Sequence, residues 1–468
     1  MKTFLICLFL SIYCSVAQNS AIQFTNADYP FGSKPTNVQS NDLEQAYLDW
    51  KNRFADASCS DGRARVKFDD PNFSVSEGIA YGMLLSAYAN DKELFDGLWK
   101  YYKSHRNPNG VMHWKINGCD TVDGQNGATD AELDAAIALI IAGNRFDNSG
   151  TINYHEDAKE LIAVMKQHEV EANTYVLKPG DAWGGSNNTN PSYFAPGYYK
   201  VYGEFTNDQQ FWNNVIVKTY EVLNANLSTN NAVGGLVSDW CKADGTYSDI
   251  VPWAHNAGKS YYYDAARTPW RIATDYLWFG ENNANDYLSK CQNFVTGVGG
   301  INKITAGYNQ DGTQIPGNSG TPYKDVVFTG AFSSALMTST NQNMVDEAYT
   351  ALKSQTSNAY FANTLRVLYM YTMSGNLYNP NANTAVLNTE EFNNQKINSI
   401  AYPNPSSEKL HLTNFDLGSI IKIYDSVGKE VMSISVKNAN IDVLNISTLS
   451  PGVYFIKSKK KTIRFIRK

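Results

Sequence analysis

The chain has 468 residues, which at roughly 100–200 residues per domain predicts two to four folding units. A composition of 43% hydrophobic and 18% charged residues is globular and excludes a disordered, collagen-like or polytopic membrane chain. With 39 Lys and Arg against 45 Asp and Glu the net charge is −6, so no global basic field draws in nucleic acid or anionic lipid. The aromatic share is 13%, with 30 Tyr and 9 Trp. A core alone seldom needs so many rings with polar edges, whereas a surface that stacks flat ligands does.

The chain opens on a leader. Lys2 precedes an apolar run over 4–16, and Ser15-Val16-Ala17 supplies small residues at the positions a signal peptidase reads. The run is too short to cross a bilayer, and no other stretch reaches about 18 apolar residues. We expect a signal peptide over 1–17, export through the periplasm and no membrane span. Cys7 and Cys14 leave with it, so Cys59, Cys119, Cys241 and Cys291 remain. They either pair as two disulfides, with three possible connectivities, or stay as buried thiols. None lies in a CxxC, which argues against zinc.

From 18 to 378 the apolar residues recur at helical spacing in about a dozen stretches. These are 41–54, 75–90, 91–104, 130–143, 154–168, 194–203, 208–226, 267–280, 284–297, 325–338, 342–354 and 359–373. Loops rich in Gly, Asn, Asp and Ser interrupt them at 105–128, 180–190 and 305–321, and loops that long in a compact domain usually carry function.

Several acids stand where helices begin. Ser74 and Glu77 have the spacing of a capping box, and so do Thr129 and Glu132, while Asp130 lies in a first turn that favours negative charge. As a general acid, Glu77 needs burial or neighbouring carboxylates to offset the helix terminus, which lowers its pKa. The loop at 120–127 before Asp130 suits a cleft wall and lacks the ligand order of a calcium loop. Tyr261-Tyr262-Tyr263-Asp264 followed by Arg267 is the densest cluster; its plainer reading is an Asp264–Arg267 surface pair capping the helix near Pro269. Trp114, Trp183, Tyr193 and Trp253 sit on loops, where rings suit the apolar faces of sugars. HExxH and GxSxG are both missing, which sets aside metallopeptidase and serine-hydrolase chemistry.

Near residue 390 the character changes. Residues 395–468 hold 12 Lys and Arg against 5 Asp and Glu, and every Trp lies between Trp50 and Trp278. A linker is expected over 379–394. Short alternating runs at 409–412, 420–424, 429–434 and 453–456, punctuated by Val427-Gly428 and Pro451-Gly452, predict a small β-sandwich over 395–468.

Three segments together resemble glycoside hydrolase family 8, across roughly 25–378. They are Ser76-Glu77-Gly78 with Tyr81-Gly82-Met83, the run from Ala128 to Phe146, and Tyr263-Asp264-Ala265-Ala266-Arg267. Asn190-Pro191-Ser192-Tyr193-Phe194-Ala195-Pro196 is similar to a further family stretch. The run from Ala128 departs from the family pattern at Glu132, where Asp is usual, and at Ala135, where Ile or Met is usual. The resemblance implies an (α/α)6 barrel and an inverting mechanism without cofactor or metal. It implies Glu77 as general acid, Asp264 as general base and Asp130 as the residue holding a distorted sugar. Arg267 is expected to orient Asp264, and Trp114, Trp183, Tyr193, Tyr263 and Arg267 to line the substrate groove.

The activity so implied is endo-hydrolysis of β-1,4-glucan, cellulose-type or mixed-linkage. Endo-β-1,4-xylanase is the close alternative, and an inactive polysaccharide-binding surface protein is the alternative of another class. Tyr402-Pro403-Asn404-Pro405, Ile423-Tyr424-Asp425, Leu449-Ser450-Pro451-Gly452-Val453-Tyr454 and Lys459-Lys460-Lys461 resemble the C-terminal sorting domain of type IX secretion cargo. That implies the type IX machinery as a partner and a final location outside the cell or on its surface.

Overall fold

A computed structural model describes residues 22–39, 41–146, 148, 150–382, 401–402, 405–412, 420–425, 428–435, 441–457 and 462–468. The expected signal peptide, most of the expected linker, and Pro403, Asn404, Val427 and Lys459–Lys461 of the tail motifs lie outside the described residues. The chain divides into two units, 1–384 and 385–468.

The first unit is helical. Its helices are α1 (Asp42–Phe54), α2 (Ser76–Tyr88), α3 (Lys92–Ser104), α4 (Thr129–Arg145), α5 (Tyr154–His168) and α6 (Pro196–Thr206). The series continues with α7 (Gln209–Thr229), α8 (Thr268–Phe279), α9 (Asn282–Gly297), α10 (Val326–Leu336), α11 (Gln342–Ser354) and α12 (Tyr360–Ser374). All twelve periodic stretches are helices, with ends displaced by less than a turn.

The helices are of two kinds. In α2, α4, α10 and α12 nearly every side chain is buried, as expected of a helix that is apolar all round. By contrast α3 buries one stripe, including Leu94, Phe95, Leu98, Trp99 and Tyr102, and α1, α5, α9 and α11 do likewise. The packing follows from this. The even-numbered helices touch in succession: α2 on α4, α6 on α8, α8 on α10, α10 on α12, and α12 on α2. Tyr202 on α6 completes the series by donating its hydroxyl to the Leu133 carbonyl on α4, at 2.5 Å. The one-faced helices pack behind them, α3 on α2, α5 on α4, α7 on α6, α9 on α8, α11 on α10 and α1 on α12.

The first unit also holds short strands, β1 (Ala55–Asp56), β2 (Arg65–Val66), β3 (Phe73–Val75), β4 (Lys115–Asn117) and β5 (Thr121–Gly124), the last two within the expected loop at 105–128. The last three form one antiparallel sheet that leads directly into α2. A Cys59–Cys119 disulfide ties this corner, while Cys241 and Cys291 are free and buried. Each of the two sequence readings of the cysteines therefore holds for one pair.

In the second unit β6 (Ala401–Tyr402), β7 (Lys409–Leu412) and β10 (Ile441–Asn445) form one sheet, in the order β10-β7-β6. The strands β8 (Ile420–Asp425), β9 (Glu430–Ser435), β11 (Gly452–Lys457) and β12 (Thr462–Arg467) form another, in the order β12-β11-β8-β9. Leu410 and Leu412 share one core with Ile421, Ile423, Tyr454, Ile456 and Phe465, so alternate residues of both sheets point inward.

Candidate active site

Both capping-box expectations give way to tertiary contacts. The residue before α2 is Val75, no side chain caps the helix, and Ser74 lies in β3. Instead of turning back on its own backbone, Glu77 accepts hydrogen bonds from Tyr360 on α12 (2.9 Å) and Arg267 (2.6 Å). Gly78 makes this possible. A Cβ there would stand 2.9 Å from the Tyr360 hydroxyl oxygen, so only glycine lets that ring approach. Glu132 likewise leaves its helix terminus to accept from the Tyr102 hydroxyl and the Met112 N–H, fully buried.

Arg267, just ahead of α8, is the hub. Its Nη1 donates to Glu77 Oε2 at 2.6 Å, to Asp130 Oδ2 at 2.7 Å and to the Tyr81 hydroxyl at 3.2 Å. Nη2 donates to Ser192 Oγ at 3.0 Å and more weakly to Asp264 Oδ1 at 3.5 Å. The rings of Tyr193 and Phe361 lie 5.3 and 5.6 Å from the guanidinium carbon. At 2% exposure Arg267 is enclosed among protein partners, so it is not the expected exposed cap. It binds Glu77 and Asp130 more closely than the Asp264 it was expected to orient.

The structure thus joins acids from three distant segments: Glu77 from α2, Asp130 from α4 and Asp264 from the loop before α8. Their surroundings differ. Burial pushes the Glu77 carboxyl up to about 8; the Arg267 charge opposes this, and the nearby Asp130 charge adds to it. Asp130 is raised too, by burial, with Arg267 pulling it back. Two buried acids facing one guanidinium leave a surplus negative charge, and a proton on Glu77 relieves it. Asp264 is more open, its side chain 36% exposed against 17% for Glu77 and 3% for Asp130. Its Oδ2 accepts from Trp240 Nε1 at 2.9 Å.

Around these acids the rings fall into two sets. Trp114 is 44% exposed, and its carbonyl receives the Ser76 N–H at the start of α2. Trp183 stacks on Trp240 with centroids 5.5 Å apart and meets the exposed Trp253 edge-on at 6.0 Å. Tyr193, by contrast, is buried between Arg267 and Trp240. The Tyr263 hydroxyl donates to Asp325 at 2.7 Å and its ring packs on Phe328, so this side chain braces the loop. Trp240, Asp239 and Tyr360 were not singled out from sequence. An Asp-Trp pair in a polar loop is a usable signal for the first two, whereas Tyr360 reads only as the first residue of a helix. Among the described residues no group of three or more His, Cys, Asp or Glu is disposed to hold a metal ion.

The profile of glycosyl hydrolases family 8 matches residues 28–375, and that of the secretion system C-terminal sorting domain matches residues 400–468. The chain is 40% identical over 370 residues to Endoglucanase A of Acetivibrio thermocellus, covering 76% of this chain and 74% of that protein. It is 32% identical over 373 residues to the Beta-glucanase of Niallia circulans, covering 74% of this chain and 89% of the other. Among solved structures, the apo beta-1,3-1,4-glucanase from Paenibacillus sp. X4 superposes with a TM-score of 0.70 at 30% identity, over 77% of this chain and all of that one.

Proposed function

This chain belongs to glycosyl hydrolase family 8, and from that premise we propose that it is an inverting endo-glucanase acting on β-1,4-linked glucan, cellulose-type or mixed-linkage. The chain is a glycoside hydrolase of endoglucanase type. The succession of even-numbered helices from α2 to α12 and back to α2, with the odd-numbered ones behind, supports the (α/α)6 barrel.

Three acids on one guanidinium carry the mechanistic reading. Glu77, its proton held by burial and by the charge of Asp130, gives that proton to the glycosidic oxygen as the bond breaks. Asp264 takes a proton from the water attacking the opposite face of the sugar. Inversion needs the two carboxyl groups roughly 6.5–9.5 Å apart to admit that water. Arg267 contacts both carboxylates, Glu77 through Nη1 and Asp264 through Nη2, which supports their serving one site. Asp130 hydrogen-bonds the distorted sugar, and Trp114 and Trp183 supply platforms along the groove. The tail directs export through the type IX system, with the leader taking the chain first to the periplasm.

Product anomers from a mixed-linkage glucan, followed by NMR in the first minutes of reaction, test the mechanism. The α-anomer is expected to form first, and initial β-anomer would overturn inversion. Reducing-sugar release on carboxymethylcellulose, mixed-linkage glucan, xylan and chitosan side by side tests the substrate. Faster release from xylan than from either glucan would replace this reading with the xylanase one.

A further inference from the structure

The loop that presents Asp264 is held by a neighbouring dipeptide from another part of the chain. Asp239 is 2% exposed, and its Oδ1 accepts two backbone N–H groups, from Tyr262 at 2.9 Å and from Ala265 at 2.8 Å. These flank Asp264 on both sides, so one carboxyl oxygen sets the turn from which Asp264 projects. The next residue, Trp240, reaches the Asp264 side chain itself, donating its indole N–H to Oδ2. Asp239-Trp240 therefore grips the backbone and the carboxylate of Asp264 together.

The grip is itself rigid. The Asp239 and Trp240 N–H groups donate to the carbonyls of Ser260 and Gly258. Asn226 on α7, fully buried, accepts the Ser238 N–H and donates to Ser238 Oγ, and Gln310 donates to Asn226 in turn. Every partner is locked by a further hydrogen bond, the arrangement that keeps a working side chain within about 0.5 Å of its productive place. On its other side the Trp240 indole carries Trp183 in stacked contact. One element thus supports both the half-buried ring expected to serve as a sugar platform and the carboxylate.

We infer that Asp239 and Trp240 are positioning residues for the proposed general base: the indole N–H aims Asp264, and Asp239 shapes the turn that carries it. The inference rests on Asp264 being that base. Burial and the Asp264 charge keep the Asp239 carboxyl well above the usual carboxylate range, so an amide there imitates its neutral form.

Four variants test it by steady-state kinetics on mixed-linkage glucan. Trp240→Phe keeps a ring against Trp183 and removes the N–H; its kcat should fall roughly ten- to a hundredfold, the scale of a hydrogen bond to a charged group, with KM within about twofold. Asp239→Ala should lower kcat in the same way, and Asp239→Asn, which keeps the carbonyl acceptor, should restore most of it. Wild-type kcat in both Trp240→Phe and Asp239→Ala, with Asp264→Asn inactive, overturns this inference and leaves the role of Asp264 standing. An active Asp264→Asn overturns both. Near-UV circular dichroism on each variant identifies misfolding, and equal kcat losses in Asp239→Asn and Asp239→Ala count against the acceptor role.

Discussion

Two regions of the candidate active site treat the same functional group in opposite ways. Where α2 and α4 begin, Glu77, Asp130 and Asp134 are enclosed, and each carboxyl is tied to an arginine. On the loop face, Asp264 stands half open among Trp240, Trp183 and Trp253. Enclosure decides a protonation state, since a buried acid keeps its proton unless a cation compensates. Openness admits water and sugar. Burial thus sets carboxyl groups of one site apart, and under the proposed mechanism it separates the proton donor, Glu77, from the group that activates water, Asp264.

The largest expected effect breaks the symmetry between the two acids. Glu77→Gln and Asp264→Asn should each lower turnover of natural glucan by roughly 10²–10⁴-fold. An aryl glycoside with an activated leaving group needs little protonation, so it should restore much of the rate to Glu77→Gln and none to Asp264→Asn. Equal loss on both substrates would erase the distinction. The pH dependence follows in the same terms. As the proposed general acid Glu77 acts in its protonated form, so activity should persist below pH 8 and fall as pH rises through about 8.

Next in size is the brace beneath the enclosed face. Asp134 and Arg271 form a two-pronged pair at 2.6 and 2.5 Å, each about 1% exposed, one helical turn beyond Asp130 and Arg267. Asp134→Ala strands a buried guanidinium and should cost about 3–5 kcal/mol in denaturant unfolding. No comparable penalty is expected for Trp183→Ala on the open face. That change should raise KM for long glucans several-fold, the scale of about 0.5–1.5 kcal/mol for a ring contact, with kcat little altered.

The smallest effect sharpens the account of enclosure. Burial, the first cause, raises the Glu132 carboxyl to about 8, against about 4.3 in an unfolded chain. Between those values the folded protein holds a proton the unfolded chain has released, so stability declines as pH rises through that window. Glu132→Gln removes this contribution. Its melting temperature relative to wild type should climb between pH 4.5 and 8, and a flat difference would show that Glu132 ionises freely.

Much of this was legible before folding. Periodicity placed twelve helices to within a turn, because a helix buries its stripe according to local spacing alone. The signature segments pointed to Glu77, Asp130 and Asp264 as candidates, since each sits in a distinctive local context. Other features had no local sign. Glu77 and Glu132 looked like helix caps because capping-box spacing is a property of four residues, while Tyr360 and Tyr102, which displace that role, lie far away in the chain. The strands β4 and β5 read as part of the loop at 105–128 because sheet pairing, which they owe to each other and to β3, is not visible in pieces of three or four residues.

The order of amino acids by itself determined a helical body and a β-rich basic tail, together with a set of acids at helix starts and rings on loops, all set by short-range pattern and composition. Only the tertiary structure decided which acid is sealed and which is open. Asp130 and Arg267 are 137 positions apart, and Glu77 and Arg267 are 190 apart. Burial and charge pairing at such separations are properties of the packed helices, and no window of sequence contains them.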